Sequence, residues 1–455
     1  MKQKLQNIIK KSKADFTEIR IEKKVSTKIQ FRGKLLEMAN SNQEVGGFIR
    51  CLIYNKGWGI SIFNSIDDIE KFLQKAYESA SLIKTEKIGL AQIPPIEIEI
   101  FANMQEDFRK ISLKRKKELV EKYNKIILEE NEKIKDTSVF YADVFTEYYY
   151  ANSEGTYIKE EKPYICLSMK SLAKEKDNVQ IGMESIAKKK GFEAVLNLDN
   201  LAKNAAKKSV DLLSAQEIKA DKYTVICNPK LAGVFIHEAF GHLSEADHIY
   251  ENEKAREMMV LGKKFGSPIL NVFDDGSKDD LIGGYQFDQE GVKSQKTYLI
   301  NNGILTGRLH SRETAFKMNE KPTGNARAIS YAFSPIVRMT NTAIEQGKSS
   351  FEEMIKDIKL GVYACDYFGG QTMLEKFSFS SAYAYMIRNG KIEEMVKNVV
   401  LSGNIFSTLS NIEKIGNDFK WFETAGGCGK QDQSPLPTVE CSPHIRIKDV
   451  IIGGK

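Results

Sequence analysis

The sequence is organised around residues 228–242, Asn228-Pro229-Lys-Leu-Ala-Gly-Val-Phe-Ile-His237-Glu238-Ala-Phe-Gly-His242. Asn228 suits the N-cap of a helix, and Pro229 suits the first helical position, where its missing N–H costs nothing. The residues that follow are apolar on almost every side, which predicts a buried helix. Two imidazoles and a carboxylate at the end of such a helix are costly unless they are paired, so the stretch predicts a metal site.

The two histidines are five residues apart, whereas the zinc-protease motif H-E-x-x-H places them four apart on one helix face. On a regular helix His242 would be rotated by roughly 140° from His237, so both could not bind one ion. The helix must therefore end or loosen between them, with Gly241 as a C-terminal breaker or beside a π-bulge. The alternative is a buried helix with two ordinary hydrogen-bonded histidines. The metal is favoured because the chain has 5 His, three of which (the third is His248) lie within twelve positions.

A catalytic zinc usually takes three protein ligands and leaves a fourth position to water, so the histidines need a partner. Cys428 lies among glycines that would expose its sulfur, and Lys430 or a metal would favour its thiolate. Cys441 and His444 imitate a C-x-x-H ligand pair, although the proline between them predicts an extended segment. Spacing alone does not choose among the candidates, which are Glu245, His248, Cys428 and the pair Cys441 and His444.

The composition is that of an ordinary soluble globular protein: 455 residues, 42% hydrophobic and 28% charged, enough for two or three domains. A net charge of +6 over this length gives little support to nucleic-acid binding. No apolar run reaches about 18 residues, so no membrane span is predicted. The 6 Cys have no framework spacing, which predicts free thiols in a reducing compartment, and the N-terminus lacks a signal-peptide core. We therefore expect a cytoplasmic protein.

Hydrophobic periodicity predicts an α+β fold with antiparallel sheets and segregated helices. The predicted strands of the first half are 16–23, 26–31, 47–54, 59–63 and a strand-rich region 138–185, and the predicted helices are 66–82, 113–134 and 198–213. Two hairpins are predicted in the second half, 297–300 with 305–309 and 377–387 with 391–400, each joined by a turn containing Asn-Gly. A boundary near residues 215–222 would separate an N-terminal α+β domain, 1–217, from a β-rich C-terminal domain, 218–455, that carries the metal site.

These motifs resemble those of the TldD/PmbA family of metallopeptidases. The segment from His237 to His242 is similar to the H-E-x-x-x-H motif of the TldD proteins, followed by Glu245 and Asp247. Further segments resemble the family in the same order along the chain: Asn152-Ser-Glu-Gly155, Asp288-Gln-Glu-Gly-Val292, Gly324-Asn-Ala-Arg-Ala328, Pro335-Ile-Val-Arg-Met-Thr-Asn341, Gly369-Gly-Gln371 and Cys428-Gly-Lys430. The resemblance covers most of the chain and its combination of motifs is specific.

The resemblance implies one zinc per chain, bound by the two motif histidines and a cysteine near the C-terminus, with the motif glutamate as catalytic base. Carried over to the matching positions, the ligands are His237, His242 and Cys428, and the base is Glu238. The tail after Lys430 departs from the family. The resemblance also implies unfolded or flexible peptides as substrates. The family includes PmbA-type companion chains without the histidine motif, so this chain resembles the catalytic member of a homodimer or heterodimer.

The expected chemistry is metal-assisted hydrolysis of peptide bonds, in which Glu238 takes a proton from water and returns it to the leaving amine. A thiolate ligand weakens the Lewis acid, which predicts a slow enzyme unless other donors help. Arg327 and Arg338 are candidates for that role, with salt bridges or backbone hydrogen bonds as the alternative. Residues 283–288 and 369–377 are predicted strands that would hold an extended peptide by β-augmentation.

Two other functions stay open from the residues. One is a non-catalytic zinc-binding subunit, which would need no base beside its ligands and would keep no open position on the ion. The other is a different hydrolase, such as an amidase or deacetylase, that uses the same ion. The sequence does not name the physiological peptide, the partner, or whether cleavage proceeds from an end.

Overall fold

The computed structural model describes residues 1–84, 88–373 and 375–453 and shows a mixed α+β fold. The predicted fold class, with mainly antiparallel sheets, is confirmed. The α-helices are α1 (Lys2–Ile9), α2 (Ile69–Leu82), α3 (Leu113–Glu129), α4 (Asp199–Ser214), α5 (Pro229–Ile236), α6 (Ala246–Glu251), α7 (Glu253–Met258), α8 (Arg312–Met318), α9 (Phe351–Ile355) and α10 (Ile405–Ser410). In the part of the chain that the structure describes, none of these helices is long and apolar enough to cross a bilayer.

The first half builds one twisted sheet of seven strands. Its strands are β1 (Phe16–Arg32), β2 (Leu35–Ile53), β3 (Gly57–Phe63), β4 (Glu97–Ile100), β5 (Ile134–Asn152), β6 (Tyr157–Glu175) and β7 (Asn178–Lys188). The order is β3-β2-β1-β5-β6-β4, with β7 pairing with β6. The predicted strands 16–23 and 26–31 are a single strand, because β2 and β5 pair with β1 along its length. Helices α3 and α4 cover this sheet with a common apolar core.

The second half forms one sheet of eight strands and one sheet of six strands. One contains β8 (Gln216–Glu217), β9 (Asp221–Cys227), β16 (Leu360–Met373), β17 (Lys376–Arg388), β18 (Lys391–Lys397), β19 (Val400–Asn404), β20 (Ile412–Ile415) and β25 (Ile445–Gly453). The other contains β10 (Val272–Asp275), β11 (Lys296–Asn301), β12 (Ile304–Leu305), β15 (Asn341–Ile344), β21 (Lys420–Phe422) and β24 (Val439–Ser442). Two small pairs complete the fold, β13 (Ala326–Arg327) with β14 (Ile336–Val337) and β22 (Cys428–Lys430) with β23 (Gln433–Leu436).

Both predicted hairpins form. Asn302 and Gly303 have φ values of 50° and 76° between β11 and β12, and Asn389 and Gly390 have φ values of 47° and 76° between β17 and β18. Two successive positive φ values are what a tight two-residue hairpin needs. The second strand of the first hairpin is shorter than predicted, since β12 ends at Leu305.

Residues 283–288, predicted as a strand, form turns and one isolated bridge between Phe287 and Lys293. The two glycines instead allow other backbone segments to pass close to them. A Cβ on Gly283 would lie 2.5 Å from Thr340 O, and one on Gly284 would lie 1.8 Å from Lys278 O. The other predicted peptide-binding segment, 369–377, forms the end of the β16–β17 hairpin, with Leu374 outside the described residues.

Helix α5 lies between the two C-terminal sheets, in contact with β16 on one side and with β15 and β24 on the other. Gly233 permits this approach, because a Cβ there would lie 2.7 Å from Cys441 N in β24. The C-terminal end of α5 therefore lies between the two sheets of the second half of the chain. The seven-stranded sheet is built from residues before 217, and the boundary between residues 217 and 218 stays a prediction.

Candidate metal centre

Helix α5 begins as the sequence predicts and loosens where the histidines require it. The Asn228 side chain accepts a hydrogen bond from Leu231 N, and Pro229 occupies the first turn. Residues His237–Gly241 form a π-helical turn, followed by a 3-10 turn over His242–Ser244. The backbone N–H of His242 donates to His237 O, an i→i+5 bond. The two imidazole centroids are thereby 5.3 Å apart, and the predicted π-type distortion is confirmed.

Gly241 does not act as a helix breaker, which was one of its two predicted roles. Its φ of −54° and ψ of −50° are right-handed helical values that any residue adopts. Glycine is needed here because a Cβ would lie 2.1 Å from Met339 Sδ. The position is thus decided by close packing against the neighbouring chain segment.

The structure brings His237, His242 and Cys428 together. One ligand atom from each residue lies within 4.8 Å of the others, and His242 Nε2 is 3.3 Å from Cys428 Sγ. His237 is buried, and among the described residues neither of its ring nitrogens has a hydrogen-bond partner. Such a buried unpaired group is costly unless something absent from the protein chain binds it. Two imidazoles and a thiol form a donor set suited to zinc, so the residues fit a metal ion.

A carboxylate fixes the orientation of His242. Glu245 Oε2 lies 3.0 Å from His242 Nδ1, which leaves Nε2 facing Cys428. Glu245 is buried and also contacts Lys430 Nζ at 3.1 Å, and Lys430 in turn pairs with Asp247 at 2.6 Å. Although burial alone would raise the pKa of Glu245, Lys430 and His242 lower it to about 2. Glu245 was one of the candidate third ligands. In the structure it does not belong to the cluster and instead orients His242, which does.

The charges of the cluster favour a thiolate. Burial alone would raise the pKa of Cys428, but the two imidazoles outweigh it and lower the pKa to about 5. Burial alone would lower the pKa of His237, but Cys428 and Glu440 raise it to about 9. For His242, burial is outweighed by Glu245 and Cys428, which hold the pKa well above its usual range. An ionised sulfur is the form that binds a metal cation.

Two buried arginines hold the loop that carries Cys428. Arg338 donates to Cys428 O at 2.7 Å and to Gln433 O at 3.1 Å, while Arg327 donates to Met339 O at 2.5 Å and to Pro437 O at 2.7 Å. Their guanidinium groups are thus engaged with backbone carbonyls, in line with the alternative that the sequence left open. The role of both residues as oxyanion donors stays a prediction, since the hydrogen bonds that they make point into the protein backbone.

The tail pair Cys441 and His444 lies apart from the cluster. Cys441 is buried in β24, and His444 uses Nε2 with the Tyr363 hydroxyl at 2.9 Å and Nδ1 with Asp418. Both ring nitrogens of His444 are therefore occupied by other partners.

Besides Glu245, two further carboxylates lie next to the histidines. Glu238 Oε2 is 4.0 Å from His242 Nε2, and its side chain is 30% exposed, so it can reach a molecule bound at the centre. Glu440 Oε1 is 3.8 Å from His237 Nδ1. The sequence does not single out Glu440, because one glutamate in a strand carries no spacing signal.

Three models of one protein family match successive parts of the chain. They describe PmbA/TldA metallopeptidase domain 1, central domain and C-terminal domain, over residues 17–80, 106–213 and 220–454. A metalloprotease of Synechocystis sp. is 42% identical over 445 residues, 97% of this chain and 96% of that protein. A Saccharolobus solfataricus protein named zinc metalloprotease TldD homolog is 30% identical over 456 residues, 97% of both chains. The crystal structure of TldE from Thermococcus kodakarensis has the same fold, with a TM-score of 0.81, 16% identity and 100% of both chains covered.

Proposed function

The chain belongs to the TldD/PmbA family of metallopeptidases, and from this premise we propose that it is a zinc-dependent peptidase acting on unfolded or flexible peptides. One zinc per chain would be held by His237, His242 and Cys428. The observation that carries the proposal is the buried His237 imidazole, whose ring nitrogens have no hydrogen-bond partner among the described residues and which lies next to Cys428 and His242. A buried histidine with a purely structural role would have hydrogen-bond partners for its ring nitrogens.

When bound, zinc supplies a Lewis acid that polarises a carbonyl and acidifies water. Glu238 takes a proton from the attacking water and returns it to the leaving amine, and its partial exposure lets it do so. Glu245 holds Nδ1 of His242 so that Nε2 stays directed at the centre. Arg338 fixes the backbone at Cys428, which keeps the sulfur in place. Because a thiolate ligand weakens the Lewis acid and both arginines donate to backbone carbonyls, we expect slow turnover.

We also propose a dimer, formed with a second copy or with a PmbA-type companion chain. All six cysteines are free in the structure, which supports a cytoplasmic location.

The first experiment measures zinc per chain by elemental analysis in the native protein, in Cys428→Ala and in Cys441→Ala. Both cysteines are buried free thiols of the same half of the chain, so Cys441→Ala is the matched control. About one zinc in the native protein and the control, with loss in Cys428→Ala, supports the ligand set. Zinc retained by Cys428→Ala would refute this ligand set. A metal-free native protein would contradict the enzyme and favour the role of a non-catalytic companion chain.

Activity is tested by hydrolysis of flexible peptides and of acetylated lysine by the zinc-loaded protein. Cleavage of peptides alone supports the peptidase, whereas release of acetate alone would favour the deacetylase.

A further inference from the structure

A cavity of about 200 Å³ lies directly beside the metal centre. Its wall includes Val234, which is about one helical turn before His237 in α5. It also includes Glu440, whose Oε1 is 3.8 Å from His237 Nδ1. Tyr367 lines it as well, and burial together with the carboxylates of Glu238 and Glu440 raises the pKa of this phenol. The cavity therefore adjoins the centre where the proposed reaction takes place, and Glu440 lies between the cavity and His237.

Much of the remaining wall is apolar. The large apolar side chains are Ile181 and Met183 of β7, Leu212 of α4, Phe368 of β16 and Phe422 of β21. A cavity of about 150 Å³ with walls of this kind can bind a benzene ring. The space here is sufficient for a branched or aromatic side chain.

Four of the five charged groups of the wall are paired with one another, and the fifth, Glu440, lies beside His237. Lys208 Nζ lies 2.8 Å from Glu184 and 2.5 Å from Asp366, and Lys230 Nζ lies 3.5 Å from Glu184. A charged side chain entering this space would lose hydration and would have to compete with these ion pairs. An uncharged apolar side chain would meet no such cost.

We propose that this cavity is a specificity pocket, which binds an apolar branched or aromatic side chain of the peptide substrate at a residue flanking the cleaved bond. The inference rests on the proposed peptidase function. Because one methylene in an apolar pocket is worth about 10- to 200-fold in kcat/KM, a peptide with Leu or Phe in the pocket should exceed one with Gly by at least about 10-fold.

The test uses hexapeptides in which Gly, Leu, Phe, Asp or Lys is placed at each position in turn, with kcat/KM measured for the zinc-loaded protein. At one position flanking the cleaved bond, Leu and Phe should be preferred to Gly, Asp and Lys by at least about 10-fold. Equal rates at every position, or a preference for Asp or Lys at the flanking positions, would overturn the proposal while leaving the peptidase function in place.

Two variants link the preference to the cavity. Met183→Asp puts a charge into the wall, and Ala382→Phe fills the space from β17; each should abolish the preference for Leu and Phe. Val179→Asp is the matched control for the first, because Val179 lies on the same face of β7, is 44% exposed compared with 40% for Met183, and is not part of the wall. A preference that survives both variants would place the specificity elsewhere.

Binding gives a readout that does not need turnover. Fluorescein-labelled Gly, Leu and Phe hexapeptides are titrated against Glu238→Gln, alone and combined with Met183→Asp, and followed by anisotropy. Tighter binding of the Leu and Phe peptides, lost in the double variant, supports the pocket even if no peptide is hydrolysed, in which case the peptidase function fails alone. Equal binding of all three peptides would refute the pocket.

Discussion

Glu238 is the residue on which the proposed chemistry depends, because its carboxylate lies close to His242 but is not one of the three clustered donors. We expect Glu238→Gln to keep its zinc and to lose about 10²- to 10⁴-fold in kcat, the usual contribution of a general base. The measurement is peptide hydrolysis together with zinc content. Loss of the zinc would identify Glu238 as a ligand, and full activity would exclude it as the base.

Glu245 acts through His242, so its replacement should change metal affinity before anything else. Glu245→Gln removes the negative charge that lies 3.0 Å from Nδ1, and we expect zinc affinity to fall by about 10-fold, within the range known for such supporting residues. The affinity is measured by competition with a chromophoric chelator. Glu251→Gln, at an exposed position of α6, is the control and should bind zinc as the native protein does. Equal affinities in the two variants would contradict the supporting role.

At the scale of the element, the π-helical turn depends on close packing at Gly241. The added methyl group of Gly241→Ala would lie 2.1 Å from Met339 Sδ, so the buried Met339 side chain or the helical turn must shift. Overpacking of this kind typically costs about 1–3 kcal/mol, and we expect a corresponding loss in the free energy of unfolding measured in urea. A Cβ at Gly369 in β16 meets no atom of the described residues within 4 Å, so Gly369→Ala should change stability by less than about 0.5 kcal/mol. If Gly241→Ala is as stable as this control, the Met339 side chain moves aside without a measurable cost in stability.

At the scale of the whole molecule, Arg50 joins the two halves of the chain. Its guanidinium contacts Glu18 of β1 at 2.9 Å and Glu290 of the second half at 2.9 Å, and all three side chains are buried. Arg50→Met would leave two buried carboxylates without their cation, and breaking such a pair costs about 3–5 kcal/mol. The exposed Arg32, paired with Asp136 at 3.4 Å, provides the matched variant Arg32→Met, which should cost less than about 1 kcal/mol. The free energy of unfolding of both variants is measured in urea. Equal losses in the two variants would show that the buried network does not hold the halves together.

Metal removal should also be visible in the stability of the whole molecule. A metal that binds the native state stabilises it by about 2.7 kcal/mol when its free concentration is 100 times its Kd. We therefore expect a chelator to lower the Tm of the native protein and to leave that of Cys428→Ala unchanged. A similar decrease in both proteins would mean that the stabilising metal binds elsewhere.

Local features of the fold follow from the sequence because they depend on neighbouring residues. The Asn228 cap, the two Asn-Gly turns with their positive φ values, and the distortion between histidines five residues apart all involve short-range backbone geometry. Hydrophobic periodicity similarly indicates strands and helices, since it records which face of an element is buried. The α+β class was predictable for this reason, whereas residues 283–288 were mistaken for a strand because close backbone approach leaves the same glycine signal as a strand end.

Contacts between distant segments were decided only by the tertiary structure. The sequence by itself determined that the helix must end or loosen between the two histidines, but spacing alone did not choose the third donor. The fold brings Cys428 Sγ to 3.3 Å from His242 Nε2 across 186 residues, and it turns Glu245 toward Nδ1 and His444 toward Tyr363. The fold also places Arg327 and Arg338 where their guanidinium groups donate hydrogen bonds to backbone carbonyls. The physical reason is that such contacts depend on how separate sheets pack around α5, and packing between distant segments leaves no periodic trace along one chain.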